Sequence, residues 1–311
     1  MSAGQSSVKT HRVSRNETQK RIADGPWPWL FVGPTVAGVL IFYTWPLFKT
    51  LYLSFTKVGA FGGSPTWIGA ENYRELVGDS NVKLALVNTI IYTGIVLLNI
   101  PIATVIANLI HRRGLRGSNV YRVLYFMPFI AMPTAVALVW RLIYNGNFGV
   151  LNWFLSLIGI NGPHWTSTPG YAIVAIGVVG LWTSLGLSII ILGAGLRSIP
   201  REYYEAAEID GAGRLAQLIR ITIPLLTPSI FFVTVTSIIS GFQMFDLLYA
   251  IMGVRNPALN ESQSLVYIFY NVGFIQANKG YASAIGGLIL VLIGALTLLQ
   301  FRLQRRWVIY A

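Results

Sequence analysis

Four of the chain's eleven acidic residues, Glu202, Glu205, Glu208 and Asp210, fall within nine positions. No cysteine accompanies them, and His11, His111 and His164 are scattered, so metal ligation has no partners here. No G-x-x-x-x-G-K-[ST], HExxH, GxSxG or CxxC pattern occurs anywhere, which leaves phosphate-loop, metallo- and serine-hydrolase chemistry without a carrier. Carboxylates three residues apart share a helical face. Near a helix start each is favoured by a few tenths of a kcal/mol up to about 1. Their chemistry is recognition by charge and shape. A second polar set recurs at helical spacing: Thr236, Ser240, Gln243 and Asp246, beside Phe242, Phe245 and Tyr249. Hydroxyls and amides suit a sugar's hydroxyls, and aromatic faces suit the apolar side of its ring. Ordinary interhelical hydrogen bonding, worth about 0.6 kcal/mol per contact, and aromatic packing explain the same residues equally simply. Asp246 is expected at the outer end of its helix, paired structurally with Arg141.

The elements that must position these groups are apolar. The 311 residues are 54% hydrophobic and 11% charged, with a mean hydropathy of +0.60. Six stretches are long enough to cross a bilayer, near 29–55, 82–110, 120–144, 171–196, 226–252 and 281–301. Only helices or closed barrels span lipid, and period-two alternation is absent. The predicted fold is therefore all-α: a polytopic membrane protein of six transmembrane helices with a cytoplasmic hairpin. Its expected limits are a tail over 1–26, a membrane domain over 27–304 containing a connecting loop at 198–225, and a tail over 305–311.

Charge sets the orientation. Lys9, Arg12, Arg15, Lys20, Arg21, Arg112, Arg113, Arg116, Arg122, Arg197, Arg201, Arg214, Arg220, Arg302, Arg305 and Arg306 all fall on one side if both termini are cytoplasmic. That regular spread accounts for the net charge of +12 without a nucleic-acid surface. The polar, basic N-terminal tail reads as a solvated segment, with no signal-peptide cleavage expected. Pro128 and Pro133 predict a bend in the third span. The apolar piece Val150–Ile160 is too short to cross and reads as an interfacial helix.

The acidic cluster lies between two spans. Ser198 is expected to cap a helix starting near Pro200. Gly211 and Gly213 break that helix, and a second runs over about 214–220 before Pro224 and Pro228 lead into the fifth span. A compact hairpin with small residues at its turn is shaped to dock in a partner's groove. The spans hold almost no ionisable groups, so the bundle has thin means of driving transport by itself. A self-contained carrier of a small polar solute is the competing reading.

Tyr204-Glu205-Ala206-Ala207, then Asp210-Gly211-Ala212, then Ile221 and Pro224, resemble the EAA signature of ABC-importer permease subunits, in the form found in their carbohydrate branch. Tyr125-x-x-Pro128, Phe148-Gly149 with Asn152, Trp182, Phe242-Gln243-x-Phe245-Asp246 and Gly280-Tyr281-Ala282-x-Ala284 extend the resemblance over most of the chain. Ile223 stands where the family usually has Leu, and Gly253-Val254-Arg255-Asn256-Pro257 where Gly-Gly-Pro is usual. The resemblance implies that Glu205, Ala206, Ala207, Asp210 and Gly211 contact an ATPase subunit. The polar and aromatic stripes of the fifth span, with Trp182, make Ser240, Phe242, Gln243, Phe245, Asp246, Tyr249 and Trp182 the candidates for a substrate path. The resemblance further implies a prokaryotic cytoplasmic-membrane importer of a sugar or polyol, without catalytic residues or a cofactor of its own. ATP and Mg would bind a partner ATPase dimer. A second, homologous permease and an extracytoplasmic solute-binding protein complete the implied assembly.

Overall fold

The computed structural model describes residues 27–58, 63–111 and 115–308. The expected N-terminal tail, Arg112, Arg113 and the last three residues lie outside them. The chain divides into two compact units between Tyr52 and Leu53. In the first, α1 (Trp27–Val39) runs through a π-helical turn at Leu40–Thr44 into α2 (Trp45–Leu53).

In the second unit a two-residue antiparallel ladder, β1 (Thr56–Lys57) with β2 (Thr66–Trp67), precedes α3 (Glu71–Gly78). It is a small addition to an otherwise helical chain. The second span is α4 (Ser80–Leu97) continued by α5 (Asn99–Ile110). The third is α6 (Ser118–Ile130) and α7 (Pro133–Ile143), bent by 96° at Ala131 and Met132. The bend comes where the two prolines predicted it, because Pro133 opens the new helix without needing an N–H partner. After the short α8 (Val150–Leu157), α9 (Tyr171–Ser198) forms the fourth span. Its 28 residues extend about 42 Å.

The fifth span departs from expectation. The stretch 226–252 is not one helix. A hairpin, α10 (Glu202–Ile209) and α11 (Arg214–Gln217), passes through a π-turn at Leu218–Thr222 and α12 (Ile223–Leu225). A 69° bend at Leu226 then leads into α13 (Thr227–Phe242). The chain breaks again at Gln243–Phe245, and Asp246 opens α14 (Asp246–Met252). Next come α15 (Leu259–Ser262) and α16 (Leu265–Tyr270), the latter extended by a π-turn over Asn271–Ile275. The last span is α17 (Lys279–Trp307). Among the described residues four helices are thus long and apolar enough to cross a membrane, or up to six with each bent pair taken as one span.

Small and polar residues set how closely these helices approach. A side chain at Gly180 would strike the Tyr92 ring, and one at Gly186 would strike the Tyr125 backbone. Both lie on α9, which packs against α4, α5 and α6. At the α4–α5 joint the fully buried Asn99 amide donates to Val96 O at 2.7 Å and to Ser237 Oγ at 3.3 Å. Its Oδ1 accepts from Ser188 Oγ at 2.7 Å. One side chain therefore ties the second, fourth and fifth spans together. On the other edge, Tyr281 Oη donates to Asp79 Oδ2 at 2.7 Å, and Asp79 also caps α4 through Asn81 N–H. Among the described residues the apolar core lies in three clusters, one of which joins α5, α9 and the Leu226 elbow.

Replacing Asn99 by Leu leaves the Ser188 and Ser237 hydroxyls without this partner. We expect a loss of about 1–3 kcal/mol, more than Ser188→Ala costs. Thermal unfolding of the two variants in detergent measures the difference.

Candidate functional site

Two places gather the polar groups singled out in the sequence. The first is the hairpin. At its tip Asp210 ends α10 and Gly211 turns left-handed, with φ of +75°. Gly211 N–H donates to Glu208 O at 3.1 Å, and Ala212 N–H donates to Ala207 O at 2.8 Å. This pair of bonds is a Schellman cap. It gives the Ala-Ala-x-x-x-Gly spacing a physical cause: glycine takes the left-handed position four residues after Ala207, whose carbonyl the turn then closes on. Small residues at 207 and 212 fit this closure.

Two further bonds hold the second arm of the hairpin, one to the turn and one to the first arm. Gln217 Nε2 donates to Ala212 O at 3.1 Å, and the Tyr204 and Thr222 hydroxyls meet at 3.0 Å. Ser198 does not cap α10 as expected. The fourth span runs on through Ser198, whose hydroxyl donates back to Gly195 O at 2.8 Å, and Arg201 takes the N-cap position without a side-chain bond.

A groove of about 720 Å³ lies behind the hairpin, bounded by Arg197, Arg201, Tyr204, Glu205, Arg214 and His111 among others. Partial burial lowers the pKa of His111 from its ordinary 6.5, and the positive charges of Arg122, Arg197 and Arg201 lower it further. Glu205 and Glu208 line this groove, Ala207 is half-buried, and Ala206, Asp210 and Gly211 are exposed. Ile209 is 88% exposed and Leu215 70%, two apolar side chains flanking the turn.

The second place is a cavity of about 370 Å³ where the broken third and fifth spans meet. Pro128, Phe129, Ala131 and Pro133 face it from the third span, and Gln243, Met244, Phe245 and Asp246 from the fifth. Thr183, Ser184 and Ser188 face it from α9, and Tyr92 from α4. Of the residues expected along a substrate path, Ser240, Gln243, Phe245 and Asp246 line it. Phe242 is buried and off the lining. Tyr249 stacks on Phe245 at 5.4 Å between ring centroids, beyond the cavity wall. Trp182 lies off the lining as well, edge-on to Trp140 at 5.6 Å.

Asp246 is not at the end of a continuous helix and forms no ion pair with Arg141. It shares the cavity with Pro133 and Val136 at the start of α7, whereas Arg141 sits about 12 Å further along that helix. Tyr92, Thr183 and the Asn99 network were not legible as cavity features, because their roles depend on which helix faces which. Ser264 was also hidden. Fully buried, it donates to Met244 O at 2.7 Å and accepts from Tyr267 N–H at 3.1 Å, which pins the break in the fifth span to the start of α16.

The sequence profile described as "Binding-protein-dependent transport system inner membrane component" matches residues 99–310. The chain is 35% identical over 287 residues to a probable ABC transporter permease protein, YesP, of Bacillus subtilis, covering 90% of this chain and 91% of that one. It is 30% identical over 287 residues to the sn-glycerol-3-phosphate transport system permease protein UgpA of Agrobacterium fabrum, covering 91% and 96%. It is 28% identical to the arabinooligosaccharides transport system permease protein AraP of Bacillus subtilis, covering 89% and 88%. A chain of the crystal structure of a bacterial alginate ABC transporter, in complex with an alginate pentasaccharide-bound periplasmic protein, superposes with a TM-score of 0.81. That likeness covers 92% of this chain and 96% of that one at 21% identity, and it establishes the shared fold.

Ser264→Ala removes the partner of a buried carbonyl at the cavity's edge. It should cost about 1–3 kcal/mol, with Thr largely restoring the loss; chemical denaturation of Ala and Thr variants compares them. His111 gives a pH signature. Its folded pKa is lowered, so it costs no stability above about 6.5. The penalty grows as pH falls below that value and is complete below the folded pKa. Arg197→Gln should move the His111 titration upward in an NMR pH series, and an unmoved titration would contradict the assigned charge contact.

Proposed function

The chain belongs to the binding-protein-dependent transport system inner membrane component family, and on that premise we propose that it is the translocation subunit of an ATP-driven sugar or polyol importer. It is a permease subunit and not an enzyme. Hydrolysis of ATP with Mg takes place on a separate ATPase dimer, and an extracytoplasmic binding protein delivers the solute. A second homologous permease completes the path. Both termini and the hairpin face the cytoplasm.

The observation that carries this reading is the capped hairpin joined to the fifth span. Internal bonds at Gly211, Ala212, Gln217 and Tyr204 make it a stiff unit. Its flanking Ile209 and Leu215 stand in water, where apolar side chains of that exposure gain by covering. Glu205, Ala206, Ala207, Asp210 and Gly211 form the face that meets the ATPase. Movement of the ATPase subunits displaces the hairpin, and α13 carries that displacement from the Leu226 elbow to the cavity, which opens alternately to either side.

The cavity supports a polyhydroxy solute. Ser240, Gln243 and Asp246 offer hydrogen-bonding groups next to the Phe245 ring. No Lys, Arg or His is among its lining residues, which favours an uncharged sugar over a phosphorylated one. Its volume falls within the range of small-molecule sites, roughly 300–1,000 Å³. Asp246 is the one acid among the lining residues, a sparse endowment for an ion-coupled carrier.

Gly211 supplies the test. Nothing lies within 4 Å of a side chain built there, so the turn's left-handed φ sets the cost of a substitution. Alanine should cost about 1–2 kcal/mol locally, asparagine less, and proline cannot take that φ. ATP-driven uptake by the reconstituted complex should fall in the order Gly, Asn, Ala, Pro, with normal membrane insertion. Undiminished uptake in Gly211→Pro would remove the hairpin from the mechanism.

A further inference from the structure

The groove behind the hairpin gathers positive charge from three elements. Arg197 comes from the last turn of α9, Arg201 stands at the N-cap of α10, and Arg214 opens α11. His111, which ends α5, lines the groove with them. Among the described residues none of the three guanidinium groups makes a hydrogen bond or an ion pair. Glu205 and Glu208 line the groove as well, but neither reaches an arginine there. Ala206, Ala207, Asp210 and Gly211 are off the lining, so the groove shares only Glu205 with the face assigned to the ATPase.

A bias of basic residues toward one side of a membrane accounts for arginines at span ends. It does not account for three of them converging on one groove without carboxylate partners. The charge is felt locally. His111 is held below its ordinary pKa by burial first and then by Arg122, Arg197 and Arg201, and no carboxylate acts on it in return. Guanidinium forks pair with phosphate oxygens two at a time. Leu196 and Ile199, both buried, supply an apolar part of the lining, against which such charges are less screened than in open water. At about 720 Å³ the groove exceeds a bare phosphate, so the group arrives on a larger molecule. Its position suits that: α5 and α9 end here, where apolar span gives way to hairpin.

We propose that this groove binds a phosphate group, held by Arg197, Arg201 and Arg214 as a bridge between the end of the fourth span and both arms of the hairpin. The group is carried by an anionic phospholipid or by a phosphorylated small molecule, and the recognition chemistry is the same for both. The site goes beyond the transport reading. It needs neither ATPase nor transported solute, so its failure leaves that reading intact.

The test uses the full chain in dodecyl maltoside, titrated with inorganic phosphate at constant ionic strength. Calorimetry should show saturable binding. In an NMR pH series His111 should titrate at a higher pH with phosphate present, because a bound anion favours its charged form. Arg201→Gln and Arg214→Gln should each weaken phosphate about 5- to 10-fold. Arg214 is not among the charges acting on His111, so Arg214→Gln leaves the anion-free titration in place and isolates the effect of binding. Nanodiscs of phosphatidylcholine, with and without phosphatidylglycerol, distinguish the source. A rise in the His111 titration on adding phosphatidylglycerol, reversed by Arg214→Gln and not extended by inorganic phosphate, assigns the site to lipid. A rise that waits for inorganic phosphate in both nanodiscs assigns it to a soluble ligand. A response that sodium chloride of equal ionic strength reproduces would overturn the proposal. So would wild-type phosphate affinity in both arginine variants, or no response to phosphate or phosphatidylglycerol in any arm.

Discussion

Lipid offers no hydrogen bond to a broken helix, so each interruption in an apolar span must be satisfied from within. The architecture follows from how four interruptions are met. At Leu98 the Asn99 side chain turns back to Val96 O and reaches across to Ser188 and Ser237. At Ala131 and Met132 a proline restarts the chain and needs no N–H partner. At Leu226 the elbow is fully buried in an apolar cluster with α5 and α9. At Met244 the free carbonyl is taken by Ser264. The breaks at 131–132 and 243–245 lie on one cavity, where irregular backbone lines a site. Polar backbone at membrane depth and the candidate solute site are therefore one feature.

The helical nature of the fold, most of its spans and the hairpin were legible in the sequence, because each leaves a local signal. Apolar length gives spans, and a glycine four residues after Ala207 gives a capped turn. The prolines at 128 and 133 gave the bend. What stayed hidden was set by distant partners. Span length alone joined 226–252 into one helix, since no proline marks the break at Gln243–Phe245. That break is fixed from Ser264, about twenty positions onward. Asp246 looked like half of an ion pair because its depth was measured along a straight helix that does not exist. Ser198 has the residue type of a cap, but its hydroxyl is used by the preceding helix. Composition singled out Ser240, Gln243, Phe245 and Asp246, which line the cavity, but not Tyr92 and Thr183, because nothing local says which faces converge.

The hairpin and the cavity are chemically different sites on one continuous stretch of chain. The hairpin's turn is closed by backbone bonds, and Ile209 and Leu215 beside it present apolar bulk to the solvent. The cavity is lined by side chains converging from four spans. In the proposed mechanism the first must be stiff and the second adaptable. Their hydrogen bonds divide the same way, with a fully closed tip on one side and a lining of single hydroxyls and an amide on the other.

The unbroken run of α13 between its two joints has a kinematic consequence. Its 16 residues make a rod about 24 Å long, running from the bend at Leu226 to Phe242. A swing of about 5° at that bend would carry the far tip through about 2 Å, by the arithmetic of a rod of that length. Small angular play at one edge of the bundle is thus geared up to roughly the width of an atom where Gln243 begins, with no residue between needing to change its backbone angles.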